Sequence, residues 1–324
     1  MKAFLTSTYN YKDYSPAKWL KSKSTSQNCT CIDNGEDADV IIFVESHPTI
    51  DPYFRKLFRD KTYLAYKRKC VLYHDADLSI TPLPTISPSI ERWQYNPKHK
   101  RSAHYIARYR ENKTIDNALI NYNNSRKYLY SFIGSKTHAV RNAIINIAPR
   151  QDVYIKDTTG SQAWELNVEE ALKYEREYLE VMDESYFILC PRGIGPSTYR
   201  LFEAMQLGRV PVIISDSWVE ILGVDWDSFS IRIPQSKVSQ IEQILQDRKE
   251  EAVAMGKQAR EAWEKNFSPE VSLDRIVGAA IELIKNEYSY YDSIKDYLQF
   301  LQDPFHFKNL LRYKKNKLRR KYKL

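Results

Sequence analysis

The chain has 324 residues, enough for two domains with cores of ordinary size. At 43% hydrophobic and 28% charged residues it reads as globular rather than disordered, and no run of about 18 apolar residues marks a membrane-spanning helix. The net charge of +8 is concentrated in the tail, where 308–324 hold nine Lys and Arg and no acid; the near-neutral body argues against a nucleic-acid-binding fold, which needs a basic face.

The amino terminus, MKAFLTSTYNY, lacks the apolar core of a secretory leader and reads as a first strand over Ala3–Thr6. Cys29 and Cys31 lie too close for a zinc clip, and with Cys70 and Cys190 they are expected to be reduced thiols, in keeping with a cytoplasmic protein. Residues 9–28 are polar and carry no clear assignment. Val40–Val44 is a buried-type strand ending at Glu45, Ser46 and His47. A helix is expected over Pro52–Lys61, and a strand over Lys69–Tyr73 leads into His74, Asp75, Ala76 and Asp77. Pro82, Pro84 and Pro88 make 81–88 an extended connection. Short β structure is expected again at Ile90–Tyr95. Lys98–Arg110 mixes five Lys and Arg with two His and two Tyr, a solvated basic helix or the wall of a cleft for an anion. The polar run Asn121–Ser125 reads as a linker.

Beyond it, Tyr128–Ile133 is a strand, Gly134-Ser135 a turn, and Thr137–Ala148 a helix with Arg141 near its start. Val153–Ile155 is a strand and Asn167–Asp183 a charged amphipathic helix. The most informative stretch is 185–216, SYFILCPRGIGPSTYRLFEAMQLGRVPVIISD. An apolar strand runs into four breakers (Pro191, Gly193, Gly195, Pro196). Ser197 and Thr198 then cap a helix that Gly208 closes, and Val210–Ile214 is a second apolar strand. Such a βαβ unit implies a parallel sheet, with its loop at the strand-end, helix-start position where anions bind. Arg200 and Glu203 share a face of the helix, either as a diphosphate and ribose pair or as a surface ion pair. A strand over Phe229–Ile233 and helices over Val238–Gln246, Glu250–Asn266, Pro269–Asn286 and Tyr290–Leu301 complete the chain. The expected organisation is an amino-terminal α/β domain over 1–120, a second over 121–270, and carboxyl-terminal helices with a basic tail over 271–324.

The sequence Cys190-Pro191, Gly193, Ser197-Thr198, Arg200, Glu203, Gly208, Pro211 and Ser215-Asp216 resembles the exostosin family of glycosyltransferases over about thirty residues, with a looser match at Gly134 and Arg141. The resemblance implies a GT-B fold: two Rossmann-like α/β domains facing a cleft. It implies inverting transfer from a nucleotide sugar, usually a UDP-sugar, to a glycan hydroxyl. Arg141 and Arg200 would face the diphosphate, with Gly193 and Gly195 letting the backbone approach it. Ser197 and Thr198 would bond its oxygens and Glu203 the ribose. Eukaryotic members carry an amino-terminal anchor and a disulfide-rich body, and the expectation here is of neither. A GDP-sugar donor such as GDP-fucose, or a non-catalytic glycan- or membrane-binding scaffold, are the competing readings.

Inverting transfer requires a base for the acceptor hydroxyl. Asp75 and then His47 are the favoured candidates from the amino domain, ahead of Glu45, His74 and Asp77, because each closely follows an apolar strand. Asp75-Ala76-Asp77 also spells the D-x-D of metal-dependent transferases, but no cofactor is required here, since arginines and helix ends suffice to hold the diphosphate; a divalent metal is the lesser reading. Trp93, Tyr95 and Tyr105 are candidate sugar platforms. In the tail, Leu311, Leu318 and Tyr322 share a helical face among the basic residues, so a peripheral contact with anionic membrane, and a lipid-linked glycan acceptor, are expected.

Overall fold

A computed structural model describes all residues except 12–14, 27, 47–50, 52, 78–82, 107–112, 123–124, 161–165 and 323–324. Its first half contains β1 (Lys2–Thr6), α1 (Pro16–Lys23), β2 (Thr30–Ile32), β3 (Val40–Glu45), α2 (Lys61–Tyr66), β4 (Cys70–His74), β5 (Thr85–Ser87) and β6 (Lys100–Ser102). All six strands pair in parallel, in the order β2-β1-β3-β4-β5-β6. After α3 (Lys113–Asp116), the second half contains β7 (Tyr128–Gly134), α4 (Ala139–Ile145), β8 (Val153–Asp157), α5 (Val168–Asp183), β9 (Ser185–Pro191), α6 (Tyr199–Gln206), β10 (Val210–Ile214) and β11 (Ile231–Arg232). These five strands are also all parallel, ordered β11-β10-β9-β7-β8. The chain closes with α7 (Ile241–Asp247), α8 (Ala252–Asn266), α9 (Pro269–Ile284), α10 (Tyr290–Gln302) and α11 (Pro304–Tyr322).

Two Rossmann-like sheets therefore make up the protein, as a GT-B fold requires. Their strands are apolar on both faces because each sheet is covered on both: Val40 to Glu45 and Ser185 to Pro191 are buried at every position. In each sheet the strand order reverses once, between β1 and β3 and between β7 and β9. Open parallel sheets bind ligands at that reversal, beyond the carboxyl ends of the strands.

The last helices return to the first sheet. Leu273, Ile276, Val277, Ala280 and Leu283 of α9 are buried in one cluster with Val40, Ile42, Val44, Val71 and Tyr73. At about 1.5–3 kcal/mol for each large side chain removed from water, α9 holds strongly to the first half although it follows the second.

Several local expectations change. The unassigned stretch 9–28 contains α1, started by Ser15, whose hydroxyl accepts from the Lys18 amide, and by Pro16 in the first turn. A 3₁₀ turn at Leu57–Arg59 and the short α2 replace the helix expected over Pro52–Lys61; Asp60 caps α2 and breaks the run. The β structure expected at Ile90–Tyr95 is a 3₁₀ turn, Arg92–Gln94, with a single bridge from Glu91 to Trp218. The extended segment around Pro84 holds β5. Of the basic segment 98–110, residues 107–110 lie outside the described residues; in the described part Lys100–Ser102 is a strand, and Lys100 is buried against Asp296 of α10 at 3.3 Å. The four cysteines are unbridged thiols.

Candidate active site

The loop 191–198 leaves β9 at the strand-order reversal and enters α6 through Thr198, whose backbone is extended. α4 starts beside it from the carboxyl end of β7. Arg141, in the first turn of α4, lies across the loop; its Nε donates to the Arg192 carbonyl at 2.9 Å and its Nη2 to the Pro191 carbonyl at 3.4 Å. Gly193 makes this possible, since a Cβ there would stand 2.9 Å from Arg141 Nη2 and 3.1 Å from Thr137 Oγ1. Burial, and then the neighbouring Arg200, push the Arg141 guanidinium down to about 10.

Arg200 is 8% exposed. One of its nitrogens donates to the Ile133 carbonyl, and its guanidinium lies 4.7 Å from the centre of the Phe132 ring. Nε and Nη1 are buried without hydrogen-bond partners among the described residues. Neither Arg141 nor Arg200 forms an ion pair with any described carboxylate. Arg200 is buried and makes no direct ion pair with Glu203, which acts on it only electrostatically. Glu203 instead accepts from the Tyr178 hydroxyl at 2.7 Å, which orients its carboxylate. Tyr178 stands on α5, and burial raises its hydroxyl well above the usual range.

Residues of the first half reach this loop. A Cβ at Gly195 would meet Ser89 Oγ at 2.8 Å and the Asp77 backbone oxygen at 3.0 Å. Asp77 also bears electrostatically on Arg141, and Asp75 on Tyr199, the first residue of α6. Asp75 is buried just past β4. The Tyr105 and Tyr199 rings pack with centroids 4.0 Å apart, and the Tyr105 hydroxyl lies 3.2 Å from Ser89 Oγ. Tyr105 is therefore part of the wall between the halves and not an open sugar platform, whereas Trp93 is exposed. Ser197 is buried at the same contact.

Two acceptor-side candidates have other occupations. The His74 ring packs 5.1 Å from Phe54, and its Nδ1 accepts from the Ala76 amide at 3.3 Å, so it shapes the turn that carries Asp75. Glu45 has both oxygens engaged: one by the Thr8 amide at 2.6 Å, the other by the Ser7 and Tyr11 hydroxyls at 2.7 and 2.8 Å. It anchors the loop after β1. Burial raises its carboxyl to about 7 despite these donors. His47 lies outside the described residues. Among the described residues no three His, Cys, Asp or Glu side chains cluster as a metal site would require.

A clamp absent from the sequence reading joins the halves. Arg192 Nη2 pairs with Glu91 at 2.6 Å, Nη1 donates to Ser217 Oγ at 2.6 Å, and the Arg92 amide donates to the Ser217 carbonyl at 2.7 Å. Glu91 follows a proline-rich connection and Arg192 sits inside the glycine loop; neither position carries a pattern that foretells the pair. Tyr178 is equally silent, one of two tyrosines a turn apart on a charged helix.

Residues 42–247 match the family described as Exostosin GT47 domain. Exostosin-1 of Drosophila melanogaster is 28% identical over 180 residues, covering 51% of this chain and 23% of its own length. The Exostosin-1 homolog of Caenorhabditis elegans is 30% identical over 136 residues, covering 38% of this chain and 36% of that protein. Exostosin-1a of Danio rerio is 30% identical over 184 residues, 50% of this chain and 24% of the relative. The chain thus spans about a quarter to a third of the length of these curated relatives. Among solved structures, Anabaena HepE in complex with UDP-glucose overlaps with a TM-score of 0.39 at 12% identity, covering 86% of this chain and 98% of that one. A glycosyltransferase from Rickettsia africae overlaps at 0.42 and 10% identity, covering 86% and 85%.

Proposed function

The chain belongs to the exostosin GT47 family of glycosyltransferases, and on that premise we propose that it moves a sugar from a nucleotide donor, a UDP-sugar, to a glycan hydroxyl with inversion at the anomeric carbon. The observation that carries the donor site is the buried Arg200 guanidinium. Two of its nitrogens have no hydrogen-bond partner among the described residues and it makes no ion pair with a described carboxylate, although Tyr178 and Glu203 favour its charge; a half-buried arginine, Arg141, and a helix amino end lie beside it. Donors left unpartnered on a buried guanidinium are costly, and a bound diphosphate supplies the missing acceptors.

In this reading the diphosphate lies against 193–199. Arg200, Arg141 and the α6 amino end stabilise the charge that develops as the sugar departs. Ser197 and Thr198 bond phosphate oxygens. Glu203, fixed by Tyr178 through one oxygen, accepts from ribose hydroxyls with the other. Asp75 takes the acceptor proton, its position beside Tyr199 supporting a place across the cleft from the leaving group. The Glu91–Arg192 pair is a positioning contact that sets the spacing of the two sheets. The basic tail supports an acceptor carried at an anionic, cytoplasmic membrane surface.

Thermal melting with nucleotides tests the donor site. UDP at saturating concentration is expected to raise the melting temperature and GDP to leave it unchanged. A GDP shift without a UDP shift would replace the donor, and no shift with either would end the donor-site reading. UDP binding with no hydrolysis or transfer from any UDP-sugar would make the protein a non-catalytic binder.

A further inference from the structure

A cavity of about 320 Å³, lined by no residue of the loop 191–198, lies between the segment Tyr53–Phe58, α10 and the first half of α11. Its volume falls within the roughly 300–1,000 Å³ of small-ligand sites. Tyr53, Phe58, Phe300 and Leu310 give it apolar walls, and Arg55, Lys314 and Lys317 stand at its edge.

The charges at this edge do not cancel. Arg55 is held over the Tyr313 ring at 5.1 Å and by Asp51 at 3.3 Å. Lys314 and Lys317, three apart on α11, share a face and have no ion pair with any described residue. Asp296, the acid in the lining, already faces Lys100 at 3.3 Å and the Tyr288 hydroxyl at 3.1 Å. An apolar interior with a cationic rim suits an anionic amphiphile. A sugar would need carboxylates and amides to hold its hydroxyls, and the described lining provides only the committed Asp296.

The surroundings point the same way. Leu310 and Tyr313 dock α11 on the body, but Leu311 and Leu318, the leucines whose shared face the sequence suggested, stay exposed. Phe307 on α11 and Tyr290, Tyr291 and Leu298 on α10 are exposed too. Apolar and aromatic side chains scattered among Lys and Arg fit the interface of an anionic bilayer.

We propose that this cavity binds the phosphate end of an anionic lipid, with the first hydrocarbon segment among Tyr53, Phe58, Phe300 and Leu310 and the phosphate at Arg55, Lys314 and Lys317. The backbone supports a link to the active site. Phe54 has φ +49, rare for an aromatic residue, and this turns its ring onto His74 while Tyr53 packs against Tyr313 at 5.2 Å. The cavity is thus one side-chain layer from the turn that carries Asp75. The lipid is either a bilayer phospholipid or the phosphate-bearing carrier of the acceptor glycan; both present the same group.

Dodecyl phosphate below its micellar concentration tests the site by thermal shift on the full chain. It is expected to bind saturably, at least tenfold tighter than inorganic phosphate or dodecyl maltoside. Ser293→Trp, which fills the cavity, and the double variant Lys314→Glu/Lys317→Glu each lower that affinity at least tenfold while the UDP shift persists. The UDP arm keeps failure of the donor reading separate from failure of this one. If Ser293→Trp does not fold, Tyr297→Glu at the mouth reads the same loss. Sedimentation with phosphatidylglycerol vesicles, plain or carrying a few per cent polyprenyl phosphate, separates the sources: loss in Ser293→Trp on plain vesicles assigns a bilayer phospholipid, and loss only on the supplemented ones assigns the carrier. Unchanged dodecyl phosphate affinity in both cavity variants overturns the proposal. So does a shift by an acidic oligosaccharide such as tetragalacturonate in place of the amphiphile.

Discussion

Replacing Arg200 by methionine separates a binding role from a structural one, because the two predict opposite balances of stability and affinity. In the free protein the guanidinium is buried with Nε and Nη1 unpartnered, and each such donor costs roughly 1–3 kcal/mol. Methionine removes that penalty. It also loses the bond to the Ile133 carbonyl, about 1.5–3 kcal/mol for a charged donor, and the contact over Phe132, about 0.5–2 kcal/mol. These opposing contributions are similar in size, so ligand-free stability in urea is expected to change by no more than about 2 kcal/mol. On the proposed donor site, wild-type Arg200 would make two charge-assisted bonds to UDP worth about 3–6 kcal/mol together, so Arg200→Met is expected to weaken UDP by roughly 10²- to 10⁴-fold in calorimetric titration. UDP affinity within tenfold of wild type would refute the argument. So would a ligand-free loss above about 4 kcal/mol, the mark of a broken internal charge pair.

Asp75→Asn is expected to lower turnover by roughly 10²- to 10⁴-fold with UDP affinity within threefold of wild type; more than a tenth of the activity remaining would remove Asp75 as the base. Glu45 titrates near 4.5 when unfolded and at about 7 in the buried folded site. Its contribution to stability is therefore full below pH 4.5 and falls by about 3 kcal/mol as pH rises through 7. Urea melts from pH 4 to 8 should show that fall in wild type and not in Glu45→Gln, and parallel profiles would contradict it. A Cβ at Gly256 would stand 2.4 Å from the Gly208 carbonyl oxygen, whereas nothing lies within 4 Å of one at Gly278. Gly256→Ala should then cost about 1–3 kcal/mol, and Gly278→Ala, in mid-helix, should gain about 0.5–1 kcal/mol; equal melting temperatures for the two would reject the packing of α8 on the end of α6.

The strand, glycine loop and helix of 185–206, and the family they point to, were legible because every part of that unit is local. Continuous apolar strands announced parallel sheets covered on both faces, and four breakers in six residues placed the loop. The same local chemistry singled out Arg141, Arg200 and Glu203 as residues of the proposed donor site. What the tertiary structure alone decided was the fate of charges whose partners lie far along the chain. Glu45 was one of five candidate bases in the sequence, and in the structure it anchors the loop after β1, because Ser7, Thr8 and Tyr11 fold onto it. Lys100 looked solvated and is buried, because α10 returns to meet it with Asp296. Asp75 and Asp77 come within electrostatic reach of Tyr199 and Arg141 because α9 packs back on the first sheet and Glu91 clamps Arg192. Periodicity records which face of a segment is apolar. It does not record which other segment arrives there, and for a charged side chain that arrival decides between a catalyst, an anchor and a surface group.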